Sequence, residues 1–180
     1  PIGETETTIA GYVADMIQDG DCIQLGFGGI PNAIGFNLKD KHDLGIHTEQ
    51  IGTSMAHLME CGAVTNRYKR IDKGITVGSF ISGDNFLYQF VDQHPRLSLR
   101  RSRYTNDPYV IAQNDNVVSV NASLQIDLTG QVSAESIGPM QHSGTGGASD
   151  FAHGAYHSKG GRAILAQSST TKKGTLSRIV

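Results

Sequence analysis

At 180 residues the chain has the length of one domain with a real hydrophobic core. Lys plus Arg number 15 against 17 Asp plus Glu, and the net charge of −2 excludes the basic footprint of a nucleic-acid binder. No apolar run reaches membrane-spanning length, and Cys22 and Cys61 are too few for a disulfide framework.

The same two cysteines fit a reducing, cytoplasmic compartment. Along the chain, Ile9, Val13, Met16 and Ile17 share a helical face and predict a helix over residues 5–18, with Gly20 as its stop. Residues 22–25 read as a strand that breaks into the turn Gly26-Phe27-Gly28-Gly29-Ile30-Pro31. Pro31 suits a first helical turn, so a short helix is expected over 32–38. A second strand over 44–48 stops at Glu49. Met55, Leu58 and Met59 then predict a helix over 54–60, closed by Gly62.

Residues 75–80 are the third expected strand. Phe86, Leu87, Phe90 and Val91 mark a helix over 85–93 that His94-Pro95 ends, and 97–99 reads as a short strand. Asp107-Pro108 opens a brief helix ahead of a strand over 117–120. This alternation argues for an α/β fold, an open, largely parallel sheet with flanking helices. The rhythm changes after Asn121. Segments 124–128 and 131–135 flank Thr129-Gly130 as a β-hairpin, and Gly144-Thr145-Gly146-Gly147 precedes a helix from Ser149. Residues 163–166 read as a final core strand, and 176–180 as the start of another.

In an open parallel sheet, ligands sit beyond the carboxyl ends of the strands. The glycine turn after the first strand and Glu49 after the second are therefore expected to face one another at one edge. The turn is no dinucleotide fingerprint, because Pro31 holds the third glycine position and no acidic residue stands at the ribose-partner place. It is no P-loop either, since no Gly-Lys-Ser/Thr follows. Two readings of it remain: a structural turn, or N–H groups that hold a phosphate or an oxyanion. Glu49 likewise reads either as a reactive carboxylate or as a first-turn residue favoured by the helix dipole. Glu135, on the far arm of the hairpin, is the rival carboxylate. His153 and His157 stand four apart, but nothing completes a ligand set around them and Gly154 weakens the helix, so no metal is expected. Arg96, Arg100, Arg101 and Arg103 read as a solvated strand end.

Taken together, six segments resemble the family I coenzyme A transferases, within the 4-hydroxybutyrate CoA-transferase and acetyl-CoA hydrolase group. They are residues 26–33, Leu44-Gly45-Ile46-His47-Thr48-Glu49, Asn106-Asp107-Pro108-Tyr109-Val110, residues 128–138, residues 143–147 with Asp150-Phe151, and Ser177-Arg178-Ile179-Val180. Their order and spacing run through the whole chain. The resemblance implies a CoA-transferase fold of the NagB/RpiA-like type. It also implies that residues 1–180 are a single C-terminal catalytic domain, a fragment without the N-terminal half and C-terminal tail.

By the same resemblance, Glu49 is the catalytic glutamate, forming an acyl anhydride and then a glutamyl-CoA thioester. Gly26, Phe27, Gly28, Gly29 and Ile30 are implied to supply oxyanion and CoA contacts, and Ser143, Gly147 and Lys172 to touch CoA. The implied partners are an acyl-CoA, a short-chain carboxylate, the N-terminal half of the same enzyme and a second copy in a homodimer. Coenzyme A enters as substrate, with no metal, no nucleic acid and no membrane. The group continues after the glutamate with Ser-Asp-Gly or similar, whereas this chain has Gln50-Ile51-Gly52-Thr53-Ser54. Beside transfer stand acyl-CoA hydrolysis, a non-catalytic sensor of acyl-CoA or sugar phosphate, and a sugar-phosphate isomerase.

Overall fold

The computed structural model describes residues 2–171 and 174–180. Two acidic residues in the first turn, Glu4 and Glu6, suit the positive end of helix α1 (Glu4–Met16). Ala10, Val13 and Ala14 form its buried stripe, and Ile17 follows them into the core. Met16, expected on that face, is 54% exposed because it lies on the flank of the stripe.

Strand β1 (Cys22–Leu25) is buried along its whole length and leads through the glycine turn into α2 (Gly29–Asn37). Next come β2 (Gly45–Ile46), β3 (Gln50–Ile51) and α3 (Thr53–Glu60). They are followed by β4 (Thr76–Gly78), β5 (Phe80–Ile81), α4 (Asn85–Val91) and β6 (Leu97–Leu99). Two single-turn helices, α5 (Ser102–Thr105) and α6 (Pro108–Ile111), precede β7 (Val117–Ala122). Asp107 caps α6 by accepting from the Tyr109 N–H (2.9 Å), as the Asp-Pro pair predicts, whereas α5 has no side-chain cap to announce it.

The expected hairpin is β8 (Gln125–Ile126) with β9 (Val132–Ser133), paired antiparallel around Gly130 at φ +88°. A second small ribbon joins β10 (Ser136–Ile137) to β11 (Met140–Gln141). Helix α7 (Ala148–His157) and strand β12 (Arg162–Ala166) follow, and β13 (Thr170–Thr171) pairs antiparallel with β14 (Leu176–Ser177).

The central sheet runs β12-β7-β1-β2, with every pair parallel. Alternate residues of β1 and β7 face opposite sides. Ile23, Leu25, Val118 and Val120 join the larger core beneath α1, α2 and α3, while Cys22 and Val117 pack with Ile111, Phe151 and Ala155 on the other side. The expected α/β fold with flanking helices and a hairpin is the observed one. Among the described residues no helix is long and apolar enough to cross a membrane.

Three strands differ from their sequence reading. The run 44–48 is a ladder strand only over β2, because the chain then leaves the main sheet and His47 bridges to Val77. The run 75–80 breaks at Ser79 into β4 and β5, because the Ser79 and Phe80 N–H groups both turn to the Glu49 carbonyl (2.7 and 3.1 Å). Strand β12 is an edge strand rather than a core strand. Among the described residues β7 is its one sheet neighbour, and on one face Ala163 and Leu165 stay uncovered, Leu165 at 47% exposure.

The far side of β2 is closed by polar groups. Asn66 Oδ1 accepts from the Ile46 N–H (2.8 Å), and the buried Lys69 Nζ donates to the carbonyls of Ile46 (3.0 Å) and Ile75 (2.7 Å). Burial holds the Lys69 ammonium below the usual lysine range.

Candidate active site

Glu49 sits between β2 and β3, just past the carboxyl end of the main sheet. Its backbone is fixed from both directions: Thr48 N–H donates to Val77 (2.9 Å), and Ser79 and Phe80 donate to the Glu49 carbonyl. Helix α3 starts only at Thr53, with Gly52 as its cap, so Glu49 is not in the first turn of that helix. Its half-buried carboxylate instead meets the start of α7. Oε2 accepts from the N–H of Gly147, the cap residue of α7 (3.2 Å), and Oε1 accepts from Asn106 Nδ2 (2.9 Å).

Gly147 is glycine because of this approach. A Cβ there would stand 2.5 Å from Asn106 Nδ2 and 2.9 Å from Glu49 Oε2. In the sequence Asn106 stands only within one of the segments that carry the family resemblance. Its signal is its position as the hinge residue between α5 and α6, which is visible only once those two turns are known.

A cleft of about 300 Å³ opens beside the carboxylate, lined by Glu49, Gly26, Phe27, Asn121, Glu135 and Ser143, with Gly147 at its edge. Its floor is a closed amide network. Gln24 Oε1 accepts from Ser119 Oγ (2.7 Å) and Asn121 Nδ2 (3.1 Å), and Gln24 Nε2 donates to Asn121 Oδ1 (3.1 Å). Gly26 lies so close over Asn121 that a Cβ would collide with the Asn121 amide.

Gly28 and Gly29 line an adjoining cleft with Pro31, Asn32 and Gln50, and the exposed Phe27 ring borders both spaces. Gly28 caps α2 at φ +114° and ψ −178°, a conformation open essentially to glycine alone. The glycine turn and Glu49 thus meet at one sheet edge, through Gly26 and Phe27. Ile30 is placed differently: it packs against the main hydrophobic cluster, outside the lining of either cleft. Lys172 lies outside the described residues.

Glu135 lines the same cleft as Glu49, half-buried, and accepts a hydrogen bond from Thr145 Oγ1 (3.3 Å). On the opposite side of Glu49 a shallower opening is bounded by Arg103, Asn106, Asp107 and Asp150. Desolvation raises the Asp150 carboxyl above its ordinary value, and the nearby Glu49 and Asp107 charges add to the rise. Arg100 pairs with Asp72 (2.9 Å), so the arginine run is only partly a solvated strand end. The His153 and His157 rings meet at a tilt along α7, centroids 4.7 Å apart, and among the described residues no three metal-ligating side chains converge.

The fold is shared with the crystal structure of 4-hydroxybutyrate CoA-transferase from Porphyromonas gingivalis, at a TM-score of 0.89 and 39% identity over all of this chain and 43% of that one. Residues 83–180 match the family described as acetyl-CoA hydrolase/transferase C-terminal domain, and the chain belongs to that family. Over all 180 residues it is 47% identical to succinyl-CoA:cyclohexane-1-carboxylate CoA transferase of Geobacter metallireducens, covering 41% of that protein. It is 45% identical to 4-hydroxybutyrate coenzyme A transferase of Clostridium kluyveri, over 99% of this chain and 42% of that protein. The crystal structure of RipA from Yersinia pestis superposes with a TM-score of 0.95 at 47% identity, over 99% of this chain and 41% of that one. The chain spans about two fifths of the length of these relatives. Glu49 precedes the stretch that matches the family, whereas both of its hydrogen-bond donors lie within it.

Proposed function

We propose that the full-length protein transfers coenzyme A between an acyl-CoA and a short-chain carboxylic acid of the 4-hydroxybutyrate, acetate or butyrate type, with Glu49 as the covalent carrier. The observation that carries this reading is the pair of N–H donors on the two Glu49 oxygens, one from Asn106 and one from Gly147.

A Glu49 oxygen attacks the thioester carbonyl; a C–O bond forms, the C–S bond breaks, and the CoA thiolate leaves an acyl-glutamyl anhydride. The thiolate then attacks the glutamyl carbon, releasing the first carboxylate and leaving Glu49 as a CoA thioester. The acceptor carboxylate attacks that thioester and expels the thiolate, which takes the new acyl group and frees Glu49. Each step exchanges a carboxylate for a thiolate, so no proton moves and no general base is required. A nucleophile held by N–H donors suits that demand. When the glutamyl carbon becomes tetrahedral, charge gathers on the oxygens that Asn106 and Gly147 already face. One such donor is typically worth about 2.7–4 kcal/mol of barrier. N–H groups of the Gly28-Gly29 turn serve the other oxyanion, on the acyl side, and Gly26, Phe27 and Ser143 line the path of the CoA arm.

In this reading residues 1–180 are the C-terminal catalytic domain. The N-terminal half closes the site against water, a second copy completes a homodimer, and the protein works in the cytoplasm with no metal. The test is to incubate the full-length protein with butyryl-CoA and acetate or 4-hydroxybutyrate and follow all CoA species. Formation of the new acyl-CoA without net loss of thioester is the expected result. Release of free CoA alone would replace transfer by hydrolysis, and binding without turnover would make the protein a sensor.

A further inference from the structure

Behind Asn106 runs a line of hydroxyl groups. Thr105 Oγ1 bonds to Asn106 Oδ1 (3.0 Å), and Ser79 Oγ bonds closely to Thr105 Oγ1. The directions of these bonds follow from the donors available. A carboxylate only accepts, so Asn106 must turn its Nδ2 to Glu49 and its Oδ1 to Thr105. An amide oxygen only accepts, so the Thr105 hydroxyl gives its proton to Asn106. That leaves the Thr105 oxygen as acceptor, and Ser79 as the donor at the head of the line.

Thr105 is itself fixed. It is fully buried, and its backbone carbonyl accepts from His47 Nε2–H (3.0 Å). Burial pushes the His47 ring down to about 4, so the neutral ring holds this bond at physiological pH. Ser79 also holds the Glu49 backbone through its N–H. One residue therefore anchors the main chain of Glu49 and begins the line that reaches its carboxylate.

We propose that Thr105 and Ser79 are positioning residues for Glu49, their hydroxyls acting in series to hold the Asn106 amide with its N–H, not its oxygen, towards the carboxylate. Without the Thr105 hydroxyl, Asn106 Oδ1 loses its donor and the amide can rotate by half a turn. An amide oxygen would then face the carboxylate oxygen, and Glu49 would swing away from its attack position. The inference rests on the reading of Glu49 as nucleophile.

The experiment uses the full-length protein with the substitutions Thr105→Val, Thr105→Ser, Ser79→Ala and Glu49→Gln, each measured for kcat, KM for acyl-CoA and Tm. Misplacement of a reacting group by about 1 Å costs up to roughly 100-fold, so Thr105→Val should lower kcat about 10- to 100-fold with KM within about twofold. Thr105→Ser keeps the hydroxyl and should restore most of kcat. Ser79→Ala, at a half-buried position, should lower kcat by a smaller factor and serves if Thr105→Val fails to fold. An inactive Glu49→Gln together with wild-type kcat in Ser79→Ala and in folded Thr105→Val would overturn the relay alone. A Glu49→Gln protein with full turnover would overturn the nucleophile assignment, and the relay with it.

Discussion

After β1 the chain turns through Gly26-Phe27-Gly28-Gly29 into α2; after β11 it turns through Gly144-Thr145-Gly146-Gly147 into α7. On paper the two turns are near equivalents, yet glycine is required in them for different reasons. In the first, Gly28 is fixed by its own backbone, at φ +114°, and Gly26 by the amide of Asn121 beneath it. In the second, Gly144 and Gly146 meet nothing within 4 Å and keep ordinary backbone angles, while Gly147 alone is fixed, by the Glu49 carboxylate and Asn106. The first turn is shaped as a cradle whose form the chain maintains by itself. The second is a loose approach to one N–H group that touches the Glu49 carboxylate. A glycine pattern alone does not distinguish a conformational need from a contact need.

Substitutions can break this comparison. The largest effect is expected at the carboxylate on which both turns converge: Glu49→Gln should lower transfer about 10⁴-fold or more, as loss of a covalent nucleophile does. Gly147→Ala should follow, with a loss of about 100-fold in kcat and little change in Tm, because the added methyl displaces Glu49 rather than straining the backbone. Gly28→Ala should do the reverse, destabilising the fold by about 1–3 kcal/mol in denaturant titration. Gly144→Ala should change neither activity nor stability measurably. If Gly144→Ala matched Gly147→Ala, the contact explanation for the second turn would fail.

His47 extends the contrast to pH, since it supports Thr105 behind the second turn, whereas the Gln24 and Asn121 amides beneath the first do not titrate. Its ring is held at about 4 against an ordinary 6.5. Between those values the unfolded chain binds a proton that the folded ring refuses, so stability rises with pH across the window and is lost as pH falls from 6.5 towards 4. The shift corresponds to about 3 kcal/mol, to be read in denaturant midpoints, and His47→Gln should flatten the profile over that range.

Much of the frame was legible because local signals and tertiary structure agree. Strands β1 and β6 lie where the apolar runs put them, and Asp107-Pro108 opens α6 as the cap and proline chemistry dictate. An apolar run reports burial, however, and not the partner strand. The runs 44–48 and 75–80 therefore read as single strands, although each changes partner where Glu49 and Ser79 bond to one another.

That Glu49 and the glycine turn share one edge of the sheet was legible from the strand ends, whereas a role as nucleophile entered only with the family resemblance. The helix start nearest to Glu49 in sequence is α3, but the one it reaches is α7, and Gly147 is 98 residues away. No local pattern encodes a contact of that range, and the same holds for Asn106, 57 residues from Glu49. The resemblance groups Ile30 with its glycine neighbours, whereas the first turn of α2 directs its side chain to the core.

The proposed function stands on covalent attachment of coenzyme A to Glu49. It is tested most directly by peptide mass spectrometry of the full-length protein after incubation with acyl-CoA and a borohydride quench, which reduces a glutamyl thioester in place. A reduced side chain is expected at Glu49, dependent on acyl-CoA and absent from Glu135. Modification at Glu135, the other carboxylate lining the cleft, or an unmodified Glu49 in protein that turns over, would contradict it.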